Sequence, residues 1–209
     1  MKLYYFDIYG RAESIRILAA HAKLELTNEY ITGEKLGEMK AAGLLEFGQV
    51  PMLEVDGKKL VQSWAILRYL GRQHGYYPSD AETAWKIDST IDACEDYLNN
   101  YFKYQFEKDE EKKKALWENF TKFLPNWLAA IEKRLINNES QNYLVGSKAT
   151  IADFALGLIG FNCLLNEANP SYADTLPFIE KHEVLKAYAT HWKTELGDYL
   201  ASRPQPRPF

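Results

Sequence analysis

The texture of this 209-residue chain changes at one place, and that change constrains the fold more than any other feature. Up to Gly75 the segments are short and broken by glycine; after Pro78 they lengthen and read as helices. Lys2–Phe6 is a short β-rich run, and Leu26–Ile31 is a second. Between them, Arg11–Lys23 carries Ile15, Ile17, Leu18, Ala19 and Ala22 at close to helical spacing. Lys35–Leu45 is a weaker helical candidate ending near Gly43. Pro51–Val55 and Lys59–Val61 flank Asp56-Gly57, a strong short hairpin signal. Ser63 is expected to cap a helix over Trp64–Arg72, with Ala65, Ile66, Leu67, Tyr69 and Leu70 as its apolar face. The order β-α-β-α-β-β-α predicts a parallel strand pair joined by a right-handed crossover, then a hairpin.

Tyr76-Tyr77-Pro78-Ser79-Asp80 reads as a compact linker, with five or more helices after it. Ala81–Tyr104 is long and carries Trp85, Ile87, Ile91, Cys94 and Leu98. Glu107–Lys114 holds four acids and four bases and reads as a solvated helical turn with pairs such as Asp109–Lys113 and Glu110–Lys114. Ala115–Leu135 continues as helix, with Pro125 the expected place for a kink. Thr150-Ile151-Ala152-Asp153 has capping-box spacing and opens the most apolar helix, Ile151–Leu165. The expected division is an α/β domain over residues 1–76 and an all-helical domain over 82–209.

Composition narrows the function. At 46% hydrophobic and 26% charged, the chain is ordinary for a globular protein and long enough to bury a core without staples. Its net charge of −4 argues against a duplex-binding partner, so no nucleic acid is expected. Residues 1–76 carry 10 basic and 9 acidic side chains, so the negative charge sits in the second part. The longest uncharged stretch, Phe154 to Asn166, is 13 residues, short of the roughly 20 that span a bilayer, so no membrane is expected. Met1–Asp7 has no apolar signal core, and Cys94 and Cys163 lie far apart and outside any metal or CxxC spacing. A cytoplasmic protein with thiols packed as small hydrophobes is the expectation.

The four histidines, 21, 74, 182 and 191, have no ligand spacing, and no GxSxG, P-loop or GxGxxG occurs. No metal is expected. What remains lies in residues 1–76: Tyr5 at the end of the first strand, Arg11 and Glu13 at the start of the next helix, Val50-Pro51 before the third strand, and Gln62-Ser63 at the third helix. Each has an ordinary reading as strand aromatic, surface cation, strand opener or cap. Together they define a crevice at the carboxyl end of the first strand. A serine-capped helix N-terminus attracts carboxylates. A cis proline there would present backbone N–H and C=O groups to an extended peptide. Such a crevice suits a small acidic peptide with a reactive group.

Three blocks then carry a resemblance. Leu3–Leu18 looks like the opening of cytosolic glutathione S-transferases that use tyrosine. Phe47–Leu70, with its Gln62-Ser63 pair, is similar to their second block, and Asn142–Phe154 resembles their helical-domain block. The second block, with Lys40-Ala-Ala-Gly43 before it, leans toward the alpha class, the tail Arg203–Phe209 toward the sigma class. The resemblance implies a thioredoxin-like α/β N-terminal domain, an all-α C-terminal domain and a homodimer that conjugates glutathione to hydrophobic electrophiles in detoxification. It further implies Tyr5 as the catalytic hydroxyl and Arg11 as a cation near the thiolate. Gln49, Val50 and Pro51 would pair with the cysteinyl backbone, the proline being cis. Gln62 and Ser63 would bind the γ-glutamyl carboxylate, Asp96 of the neighbouring subunit its amine, and Lys40 the glycine carboxylate. Ile8, Tyr9, Tyr101, Tyr104 and Phe209 would wall the electrophile site, and Phe47 would insert into the partner. Tyr9 and Trp64 stand where the family often has arginine. Two alternatives share this architecture: a glutathione-dependent isomerase or peroxidase of the prostaglandin-synthase kind, and a non-catalytic binding or scaffold protein.

Overall fold

The computed structural model describes residues 1–204 and 207–209. Strands β1 (Lys2–Tyr5), β2 (Thr27–Tyr30), β3 (Met52–Val55) and β4 (Lys58–Val61) form one sheet in the order β2-β1-β3-β4. β1 pairs parallel with β2, placing Tyr5 opposite Tyr30, and antiparallel with β3; β3 and β4 close the hairpin at Asp56-Gly57. The parallel pair and the hairpin are both as the order of elements predicted.

Helix α1 (Glu13–His21) crosses from β1 to β2, α2 (Gly33–Ala41) from β2 to β3, and α3 (Ser63–Gln73) follows β4. A turn of 3-10 helix, Gly10–Ala12, precedes α1, so the α-helix starts two residues later than the periodicity suggested. Ile15, Ile17 and Leu18 of α1 and Ile66, Leu67 and Leu70 of α3 are buried with Leu3 and Leu53 of the sheet. Each such side chain contributes roughly 1.5–3 kcal/mol by leaving water. α2 covers a smaller cluster of Ile31, Met39, Leu45 and Met52.

Six helices follow among the described residues: α4 (Ala81–Phe106), α5 (Glu110–Ile136), α6 (Ile151–Ile159), α7 (Tyr172–Ile179), α8 (Glu183–Glu195) and α9 (Gly197–Ser202). The core of the first part continues into this one without a gap. α3 approaches α6 so closely that a Cβ added at Gly71 would lie 2.5 Å from Ile151 Cγ2. The capping box at α6 is present, with the Thr150 N–H donating to Asp153 Oδ2 at 2.8 Å. Asp153 also accepts the Leu144 N–H at 2.8 Å and the Tyr188 hydroxyl at 3.0 Å, tying a loop and α8 to the start of α6. Cys94 and Cys163 are buried and free, and burial pushes both thiols up, out of reactive range.

Four local expectations are corrected. Glu107–Lys114 is no continuous helical turn: α4 stops at Phe106, and Asp109 caps α5 by accepting the Lys112 N–H at 3.0 Å. Its carboxylate is thereby drawn to the backbone, and neither Asp109–Lys113 nor Glu110–Lys114 forms an ion pair among the described residues. Ser63 is not the cap of α3 but its first residue, while Gln62 occupies the cap position with φ 72°. α6 ends at Ile159 and passes into a π-helical turn, Gly160–Leu164. Trp85 lies off the buried stripe of Ile87, Ile91, Cys94 and Leu98 and is 62% exposed.

Candidate active site

The site is built at the end of β1, where the chain turns sharply into α1. Gly10 makes this turn with φ +44°, and a Cβ there would sit 2.7 Å from the Tyr5 hydroxyl oxygen. Only glycine fits both the backbone and the phenol beside it. The Arg11 backbone N–H donates to the Tyr5 oxygen at 3.1 Å. Tyr5 is 7% exposed, and its acidity is set mainly by burial, which pushes the phenol up. The Arg11 N–H and the charges of Arg11 and Arg16 pull it the other way with smaller effect. The phenol therefore keeps its proton at neutral pH. Because its oxygen already accepts a bond, the O–H is free to donate elsewhere.

Beside it opens a pocket of about 270 Å³ lined by Arg11, Gln49, Val50, Pro51, Gln62, Ser63, Trp64 and Glu95. The fold thus gathers six of the residues that sequence alone singled out. The Val50–Pro51 peptide is cis. Ser63 is buried at the N-terminus of α3, where unpaired N–H groups and the helix dipole favour an anionic group. Gln62, exposed and held at positive φ, flanks it.

Two residues of this pocket escaped sequence reasoning. Glu95 of α4 takes the Arg11 guanidinium in a fork, Nη1 at 2.5 Å and Nη2 at 3.0 Å, and accepts the Trp64 indole N–H at 2.7 Å. Burial pushes the Glu95 carboxyl up, but the bonds from Arg11 and Trp64 outweigh it and hold the group below its ordinary value. Arg11 also donates to Asn99 at 3.2 Å, and its guanidinium lies 5.9 Å from the Phe102 ring centre. The charge of Arg11 is thus compensated by a carboxylate. Trp64, which stands where the resemblance led one to look for arginine, donates a hydrogen bond to the same carboxylate. Helical spacing carried a signal for this face: Glu95, Asn99, Phe102 and Phe106 recur at intervals of four, three and four along α4.

The other expected residues lie apart from the pocket lining. Lys40 is exposed on the last turn of α2, its stem passing Gly48, where an added Cβ would meet Lys40 Cε at 3.6 Å. Asp96 is exposed on α4, one residue from Glu95. Tyr9 is 1% and Tyr101 0% exposed. The Tyr9 hydroxyl donates to the Pro204 carbonyl at 2.7 Å, and the Tyr101 hydroxyl donates to Asn169 Oδ1 at 2.7 Å. Both are packed as core. Tyr104 is half-buried against Trp117, ring centres 4.7 Å apart, and Ile8 is half-buried. Phe209 is tied back through its carbonyl to the Tyr9 N–H at 3.0 Å and meets Phe106 edge-on at 5.7 Å. Phe47 is exposed.

Comparison with known proteins places these features in a family. Residues 1–72 match the glutathione S-transferase N-terminal domain and residues 95–203 the glutathione S-transferase C-terminal domain. Over 208 residues the chain is 31% identical to glutathione S-transferase A3 of Mus musculus, covering 99% of this chain and 91% of that protein. A prostaglandin synthase D of Nilaparvata lugens superposes with a TM-score of 0.82 and 29% identity, over 98% of each chain. A Nu-class glutathione S-transferase from Haemonchus contortus superposes with a TM-score of 0.79 and 34% identity, over 100% of this chain and 98% of the other.

Proposed function

The chain belongs to the glutathione S-transferase family, and from that premise we propose how its own residues activate and hold glutathione. A free thiol of pKa near 8.5 is only about 7% ionised at pH 7.4, and lowering it by about two units is worth roughly 2.7 kcal/mol. The observation that carries the reading is the Tyr5 hydroxyl, which accepts the Arg11 N–H and keeps its own proton for a sulfur placed at the end of β1. A neutral phenol held in a largely buried place donates to a thiolate without first taking its proton. Tyr5 acts as hydrogen-bond donor to the thiolate, and the thiol proton leaves to solvent.

The ligand's extended backbone runs along Gln49, Val50 and Pro51, and its γ-glutamyl carboxylate sits on the N-terminus of α3 beside Gln62 and Ser63. Arg11, locked to Glu95, closes the pocket toward α4. In a homodimer Asp96 of one subunit faces the γ-glutamyl amine bound by the other, and Lys40 reaches the glycine carboxylate. Hydrophobic electrophiles approach along Ile8, Phe102, Phe106 and Phe209. No helix of the described residues is long and apolar enough to cross a membrane. No group of three or more potential metal-ligating side chains was found among them either.

Tyr5→Phe tests the assignment. It is expected to cut kcat for an aryl halide about a hundredfold, the size of effect seen when one oxyanion donor is removed, with glutathione affinity changed less than about threefold. Unchanged turnover would remove Tyr5 from the mechanism. The likeness to a prostaglandin synthase supports a second reading, in which the same thiolate serves an isomerisation. Assaying aryl halides, hydroperoxides and a prostaglandin endoperoxide side by side separates the two.

A further inference from the structure

We propose that the clasp between α1, β2 and the C-terminal tail is a binding site for a small tetrahedral oxyanion such as inorganic phosphate. A cavity of about 140 Å³ lies there, lined by Arg16, Arg203 and Arg207, with Glu13 the one carboxylate among its described lining residues. In a chain of net charge −4, three guanidiniums drawn onto one small cavity make a local exception. The cavity shares no lining residue with the pocket at Arg11, so the proposal stands apart from the glutathione reading.

The negative charge within reach is already taken. Glu13 is fully buried and shared: Oε2 accepts from Arg16 Nη1 at 3.1 Å, while Oε1 accepts from Arg203 Nη1 at 3.0 Å and from the Tyr199 hydroxyl at 2.7 Å. Arg207 pairs with Asp7, whose side chain is 68% exposed. The side chains of Arg16, Arg203 and Arg207 are only 6%, 9% and 11% exposed. Three buried cations thus share two carboxylates, and one of those two stands mostly in water. Burying a guanidinium without enough anionic acceptors is costly.

The hydrogen bonds show the same shortage. Arg16 Nη2 and Arg203 Nε are buried and find no acceptor among the described residues. Neither does Nδ2 of Asn162, whose Oδ1 accepts from Arg203 Nη1 at 3.0 Å. The cations are nonetheless fixed. Arg16 donates to Asn28 at 2.8 Å and to the Ile8 and Tyr9 carbonyls at 3.1 and 3.0 Å. The guanidiniums of Arg203 and Arg207 lie 4.2 and 5.6 Å from the Tyr9 ring centre, and that of Arg207 lies 4.9 Å from the Tyr30 ring centre. The two rings hold the cations over the cavity before any ligand arrives. What the clasp lacks is acceptors.

A tetrahedral dianion answers both shortages. Its four oxygens can be shared among several guanidiniums, whose paired N–H groups match a phosphate edge. The cavity is smaller than the roughly 300–1,000 Å³ of pockets that take drug-sized molecules, so an inorganic ion fits and a larger organic ligand does not. Arg16 belongs to α1, while Arg203 and Arg207 follow α9. An ion between them fastens the tail to the α/β domain across Tyr9, whose N–H and hydroxyl already hold the Phe209 and Pro204 carbonyls.

Titration calorimetry with inorganic phosphate, in saturating glutathione and at constant ionic strength, tests this. Phosphate is expected to bind with a sub-millimolar Kd; sulfate should compete with it and chloride should not. Arg207→Gln should weaken phosphate at least tenfold and leave glutathione affinity unchanged. Asp7→Asn, which removes a competing carboxylate from an exposed position, should tighten phosphate severalfold. No phosphate binding would leave the cavity to water and overturn the proposal. So would equal binding by wild type and Arg207→Gln, or an affinity that Asp7→Asn leaves unchanged or lowers. Chloride competing as well as sulfate would mean general charge screening only, and binding seen only without glutathione would place the ion in the glutathione pocket; either result overturns the site.

Discussion

Glu95 and Asp153 are both carboxylates drawn in from solvent in the helical part of the chain, and their surroundings push them in opposite directions. Glu95 is half-buried at the pocket and faces a guanidinium, so it stays ionised below the ordinary range. Asp153 is buried at the start of α6 and faces only neutral donors: two backbone N–H groups, the Thr150 hydroxyl and the Tyr188 phenol. Burial dominates there and raises its pKa to about 6. A charge partner makes a carboxylate usable at a binding site open to solvent. Neutral donors make one a structural clip whose charge is a liability.

The comparison predicts that the two acids separate stability from activity. The largest effect should come from Asp153→Ala, which leaves buried donors of Leu144, Thr150 and Tyr188 without an acceptor. A loss of about 4 kcal/mol is expected, or a Tm lower by roughly 10 °C, with activity per folded molecule unchanged. A Tm within 2 °C of wild type would end the clip reading.

The next effect is in pH. Asp153 binds its proton more readily folded than unfolded, since its pKa rises from 3.8 to about 6. Its stabilising contribution is complete below about pH 4 and is lost as pH rises through about 6, a swing of about 3 kcal/mol. Tm measured across that window should show this component in wild type, and Asp153→Asn should remove it. A parallel curve for the variant would contradict the assignment.

The smallest effect belongs to Glu95→Gln. It is expected to lower kcat/KM for glutathione roughly tenfold by releasing Arg11, with Tm changed by less than about 3 °C, since a half-exposed pair adds little stability. If Tm falls as far as in Asp153→Ala, the two carboxylates do the same work and the contrast fails.

The sequence carried much of the fold because the relevant signals are local. Asp56-Gly57 fixes a hairpin, and Thr150 with Asp153 fixes a helix start. The spacing of Ile15, Ile17 and Leu18 gives a buried helix within two residues of its true beginning. The pocket was legible as far as residues that follow one another in short motifs: Gln49-Val50-Pro51, Gln62-Ser63, and Arg11 after Gly10. Ser63 was misplaced by one position because serine is a common cap, whereas the backbone at Gln62 takes that place at positive φ.

What stayed hidden depends on which helix face meets which strand. Tyr101 and Phe102 are neighbours in sequence, yet one is core and the other lies beside Arg11. A helix turns about 100° per residue, and only the docking of α4 decides which of the two faces the site. Glu95 was indistinguishable from Asp96 until that docking set one carboxylate on Arg11 and left the other in solvent. The sequence determined the elements, their order and the family, because periodicity, turn chemistry and contiguous motifs act over a few residues. The tertiary structure alone decided the Arg11–Glu95–Trp64 lock, the burial of Tyr9 and Tyr101 and the exposure of Trp85. Those follow from the packing of residues as many as 200 positions apart, such as Tyr9 and Phe209, which no local pattern encodes.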